Sequence, residues 1–139
     1  MFIKQIKLSQ QARDKLARLK GKTGISSLNI LCRWAFCYSL SEKTVPTDVP
    51  LKQDSNFELS WYTFGGDSAD IYEALMKEWC IEMDLPTDDQ TLAKYFMLNL
   101  ERGINHLCAT KFIMNLQDLL KLTRGSHEYL SGLQRDNAN

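Results

Sequence analysis

The stretch "ARLKGKTGISSLNILCRWAFCYSL", residues 17–40, decides how the chain begins to fold. Gly21-Lys22-Thr23 looks like the tail of a nucleotide-binding P-loop. That loop needs a glycine five positions earlier, a strand before it and a helix after it, so that backbone N–H groups cradle phosphate. Position 16 is Leu16, and the residues before Gly21 have helical period. Both the motif and its context fail, which argues against bound nucleotide. Gly21 and Gly24 instead read as residues that end one helix and turn the chain into the next.

Working outward, the first helix is expected from about Gln10, capped by Ser9, to Gly21. Ala12, Leu16 and Leu19 form its narrow apolar stripe, with Lys15, Arg18 and Lys22 placed together on the opposite face. Before it, "FIKQIKLS" alternates as a short strand, with Phe2, Ile6 and Leu8 on one side. After it, a second helix from Ser26 or Ser27 to Leu40 is apolar nearly all round, with Asn29 and Arg33 as its strongly polar positions. Such a helix must be covered on most sides, by its own domain or by another subunit. A loop follows through Pro46 and Pro50. "FELSWYTFGG" reads as a strand that Gly65-Gly66 turns. A third helix runs from Asp67 or Ser68 to Met83, and a fourth, capped by Thr87, to Gly103. A last helix spans 111–123. The fold class is therefore mainly α with short β-strands, an α+β chain that starts strand-helix-helix in the order of a ribbon-helix-helix DNA binder. The chain is expected to be one domain over residues 1–123, with a polar, frayed tail at 124–139.

At 139 residues, 44% apolar and 24% charged, the chain is of ordinary globular composition. No apolar run reaches the roughly 18 residues of a membrane span, and the N-terminus has no apolar signal core, so a cytoplasmic protein is expected. The net charge of zero hides a strong polarity. Residues 1–33 hold eight basic side chains against Asp14 alone, whereas residues 42–89 hold twelve acids against three lysines. One end of the molecule is strongly positive, which suits a polyanion or a solvated helix face.

Catalytic and metal constellations are absent from the pattern. Cys32, Cys37, Cys80 and Cys108 form no CxxC pair, so buried free thiols are expected and no metal site. His106 and His127 are the only histidines, and His106 reads as an exposed residue near a helix end. The acid pairs Asp88-Asp89 and Glu82-Asp84 suit capping and solvation.

The segment "IKLSQQARDKLARLKGKTGISSLNILCRWAFCYSL", with "WYTFGG" and the late "ERGINHL", resembles the DNA sulfur modification protein DndE family over roughly Ile3 to Leu107. The resemblance implies a small accessory protein of DNA phosphorothioation, binding duplex DNA and possessing no catalytic site or cofactor of its own. It implies homo-oligomers, with tetramers and nicked duplex proposed for the family, and work alongside other DNA sulfur modification proteins. Lys4, Lys7, Lys15, Arg18, Lys20 and Lys22 are then the expected contacts to the DNA backbone, and Gly21 and Gly24 the expected contact between copies. The rival reading is a non-catalytic assembly adaptor whose basic end docks on a companion modification protein.

Overall fold

The structure, a computed structural model, describes residues 2–109 and 115–122. Three serines start three helices in the same way. Ser9, Ser27 and Ser60 are extended, and each Oγ accepts the N–H three residues on, from Ala12 (3.1 Å), Ile30 (3.3 Å) and Thr63 (3.0 Å). Each such cap stabilises its helix by about 1 kcal/mol. They open α1 (Gln10–Thr23), α2 (Leu28–Ser41) and the short α3 (Trp61–Gly65). Helix α4 covers Ala69–Glu82 and α5 covers Asp89–Ala109, with residues 116–122 also helical.

The expected strand-helix-helix start is present. Strand β1 (Gln5–Lys7) pairs antiparallel with β2 (Glu58–Ser60), Ile6 opposite Leu59. One edge of β1 is thus filled from within the chain, where a ribbon-helix-helix dimer would bring its partner's strand.

Four boundaries differ from the sequence reading. Helix α1 runs through Gly21 to Thr23. The residue that stops it is Gly24, at φ 73°, whose N–H reaches back to the Lys20 carbonyl at 2.9 Å; only glycine takes that conformation without steric cost. "FELSWYTFGG" is strand for three residues and helix from Trp61 onward. The Ser60 cap and partners on α2 outweigh the β-preference of its aromatic residues. Asp88, not Thr87, caps α5, its carboxylate accepting from the Thr91 N–H (3.1 Å) and hydroxyl (2.6 Å). These bonds hold its carboxyl below the usual range. Finally α5 continues past Gly103. Of the expected last helix, 111–114 and 123 lie outside the described residues, as do the tail at 124–139 and His127.

The core lies where α5 crosses α2. Phe36 and Phe96 meet at 4.8 Å between ring centroids, and Phe64, Trp61 and Phe2 close around Phe96. Gly103 lets the two helices come this close. A Cβ there would penetrate the Ala35 carbonyl on α2.

Candidate nucleic-acid interface

The structure sorts the polar residues of the sequence into those the fold consumes and those it leaves outside. Asn29 and Arg33, one turn apart on α2, reach the last carbonyls of α3. Asn29 Nδ2 donates to the Thr63 carbonyl at 2.6 Å, and Arg33 Nε donates to that of Phe64. Helix ends leave such carbonyls without partners, and here two side chains supply them. The polar pair that stood out on an apolar helix is therefore an internal clamp.

"ERGINHL" is a second joint, along one stretch of α5. Glu101 accepts from the Ser9 N–H (2.9 Å) and hydroxyl (3.0 Å) at the start of α1. Burial pushes its carboxyl up, and the Ser9 bonds oppose this. Arg102 donates to Ser39 Oγ (2.7 Å), the Ser39 carbonyl (2.9 Å) and the Thr44 carbonyl (2.9 Å), so it holds the end of α2 and the loop beyond. Ser39 in turn donates to Asn99 within the core. His106 is exposed, as expected, and shares a hydrogen bond with Glu42.

Ser9, Glu101, Arg102 and His106 line a cleft of about 520 Å³, with Lys15, Lys52 and Asp54. It is not a helix-terminus site for phosphate. The start of α1 is already faced by two carboxylates, since the Gln10 N–H donates to Asp54 at 2.9 Å beside the Glu101 bonds.

The expected DNA contacts divide. On α1, Ala12, Leu16, Leu19 and Thr23 face inward. At about 100° per residue, Lys15, Arg18 and Lys22 lie on one flank of that face, not opposite it, and Arg13 and Lys20 lie on the other. The outermost line is Asp14, Ala17 and Gly21. Lys15 sits close enough to the inner face to reach α5, where it donates to Asn105. Arg18 and Lys20 are exposed and Lys22 half-buried, as are Lys4 (exposed) and Lys7 (half-buried) at the strand. Among the described residues none of these five makes an ion pair, though Glu58 stands opposite Lys7 across the strand pair. Gly21 is exposed with open space around it, and Gly24 likewise meets nothing.

The four cysteines are free. Burial pushes Cys32 up to about 12 and Cys80 up to about 11, so neither is a thiolate at neutral pH. Cys37, expected to be buried, is exposed at the surface of α2, because it lies on the side of that helix away from Ala35 and Phe36. No group of three His, Cys, Asp or Glu side chains suited to a metal occurs among the described residues. No described helix is long and apolar enough to cross a membrane.

The family of the DNA sulphur modification protein DndE matches residues 5–115. The chain belongs to the DndE family. Its fold is similar to the crystal structure of DndE from Escherichia coli B7A, involved in DNA phosphorothioation modification, with 28% identity and a TM-score of 0.63. That match covers 77% of this chain and 98% of the other. A G21/24K mutant of DndE involved in DNA phosphorothioation is similar at 27% identity and a TM-score of 0.56, over 75% of this chain and 95% of that one. No curated protein matches the chain by sequence. The matched residues include the clamp of α2 on α3 and the joint of α5 on α1 and α2. They fix how the helices assemble, and the family's tie is to DNA phosphorothioation.

Proposed function

We propose that this DndE-family chain is a non-catalytic, DNA-binding subunit of the sulfur-modification system, working with the other modification proteins on double-stranded DNA. One observation carries the reading. Lys4, Lys7, Arg18, Lys20 and Lys22 crowd one short segment, and the fold uses none of them in an ion pair among the described residues. Cations left free in this way hold phosphates without choosing sequence. Lys15, bonded to Asn105, contributes less than the other five. No residue is assigned to catalysis, because the charged groups that converge at the cleft serve the joints between helices.

The protein is further proposed to act as a homo-oligomer, a tetramer, with Gly21 at the contact. Gly24 has a local reason to be glycine in its positive φ. Gly21 has none: it sits inside a helix, where glycine costs roughly 0.5–1 kcal/mol against alanine. A surface glycine there lets a second backbone approach.

Binding of the full chain to a labelled duplex, intact and nicked, across a salt series tests the reading. Each phosphate contact should contribute about −0.9 to the slope of log K against log salt. Arg18→Ala with Lys20→Ala and Lys22→Ala should weaken both duplexes and flatten that slope by up to about three contacts. Tighter binding to the nicked duplex is expected of the wild type. A wild type whose binding ignores salt would sink the reading and favour the adaptor, its basic end seated on a companion protein.

A further inference from the structure

Helix α4 has two apolar faces, and the fold covers one. Ala69, Met76, Trp79 and Cys80 are buried against the rest of the domain. On the other side Ile71 is 60% exposed, Leu75 41% and Ile81 60%, with Ala74 and Glu78 between them, also exposed. At about 100° per residue these five fall within a sector of about 120°, the width of a packing face. Asp70, Ile71, Ala74, Leu75 and Glu78 line a shallow groove of about 440 Å³. Single exposed apolar residues are ordinary, but three aligned along one helix beside a groove mark a contact surface.

The charges around this surface limit what can cover it. Asp70 and Glu78 border the groove, and Glu82 one turn further is paired with Lys43 at 3.0 Å. Lys77 on the flank is the helix's single base. Nucleic acid and anionic lipid would meet carboxylates here. A second α4 would set like charges opposite each other. The basic α1 of another copy has the complementary sign, but its outermost line is Asp14, Ala17 and Gly21, which offers Ile71, Leu75 and Ile81 no apolar bulk.

We propose that the outer face of α4 docks an amphipathic helix of another protein, apolar at i, i+3 or i+4, and i+7, and bordered by lysines or arginines. Such a helix lays its apolar edge along the groove while its cations face Asp70 and Glu78. Helix α1 packs on α2 and α5, and α4 on α3 and α5, so the acidic face and the basic cluster occupy different elements. The molecule can use both at once.

The probe is a synthetic helical peptide of leucine, alanine and lysine, with leucine at i, i+3, i+4 and i+7 and lysine at the bordering positions. Its twin carries glutamate for every lysine. Each is titrated into the full chain and followed by backbone amide NMR. The lysine peptide should shift the amides around Ile71, Leu75 and Glu78 saturably, and the glutamate peptide should not bind. Ile71→Ser with Leu75→Ser should weaken the lysine peptide at least tenfold. If that variant melts below wild type, Glu78→Lys replaces it and should weaken binding in the same direction. Shifts centred elsewhere, or equal binding of the two peptides, would overturn the proposal. So would a change in the sedimentation size of the chain alone on substituting Ile71 and Leu75, since the face would then belong to a contact between copies.

Discussion

Gly103 and Gly21 each sit inside a helix beside basic residues, Arg102 in one case and Lys20 and Lys22 in the other. Around Gly103 the space is full, for a Cβ would run into the Ala35 carbonyl. Around Gly21 it is empty. Arg102 spends its guanidinium on Ser39, Thr44 and Asn99, whereas Lys20 and Lys22 meet no ion-pair partner among the described residues. The same residue types thus serve the fold in one helix and are left over in the other. What is left over is the place to look for a partner.

The largest effect is expected at Gly103. Gly103→Ala should cost about 3 kcal/mol or more, because α2 and α5 must move apart and the aromatic core with them. A thermal or urea melt reads this directly, and an unaltered melt would mean that α2 and α5 can part at no cost. Arg102→Ala should follow at about 2–3 kcal/mol, since it strips partners from Ser39 and Thr44 and leaves Glu42 with His106. Arg102→Lys should recover little, as an ammonium cannot span the same acceptors. Gly21→Ala should do the reverse. The methyl has room, and the helix should gain roughly 0.4–1 kcal/mol; a loss of stability in the dissociated chain would show that Gly21 is already in use within one copy.

The smallest effect is a slope with pH. Glu101's carboxyl is raised, chiefly by burial. Between its ordinary value and the raised one, the folded state binds more proton than the unfolded state. Stability from this group is therefore fully present below the ordinary value and declines as pH rises through the folded one. Glu101→Gln should remove that decline, keeping one bond to Ser9, and melts across pH 4–7 (roughly the carboxylate range) would show it as convergence of the two proteins at the acid end.

Much of the fold was legible because local signals and tertiary packing agree. Ser9 and Ser27 announce α1 and α2, and the stripe Ala12, Leu16, Leu19 is buried as its spacing requires. Reading failed where a distant partner decides. "WYTFG" favours a strand on its own, and becomes a helix with Asn29 and Arg33 on its last carbonyls from more than thirty positions away. Gly103 looked like a helix end, because nothing nearby in the chain tells of Ala35. Of the candidate interface, the cations themselves were plain from charge. That Lys15 is drawn off to Asn105, ninety positions later, was not. The apolar outer face of α4 also hid in the sequence, since Ile71, Leu75 and Ile81 look like ordinary core residues until the buried side is known.

The bond from Ser9 to Glu101 spans 92 positions. On the ribosome, the first helix is therefore made long before the group that completes its start has been synthesised. The joint at Ser39 waits 63 positions for Arg102. Residues through Arg102 must emerge before α1 and α2 have their final neighbours. Completion of this fold waits on the arrival of one stretch of α5.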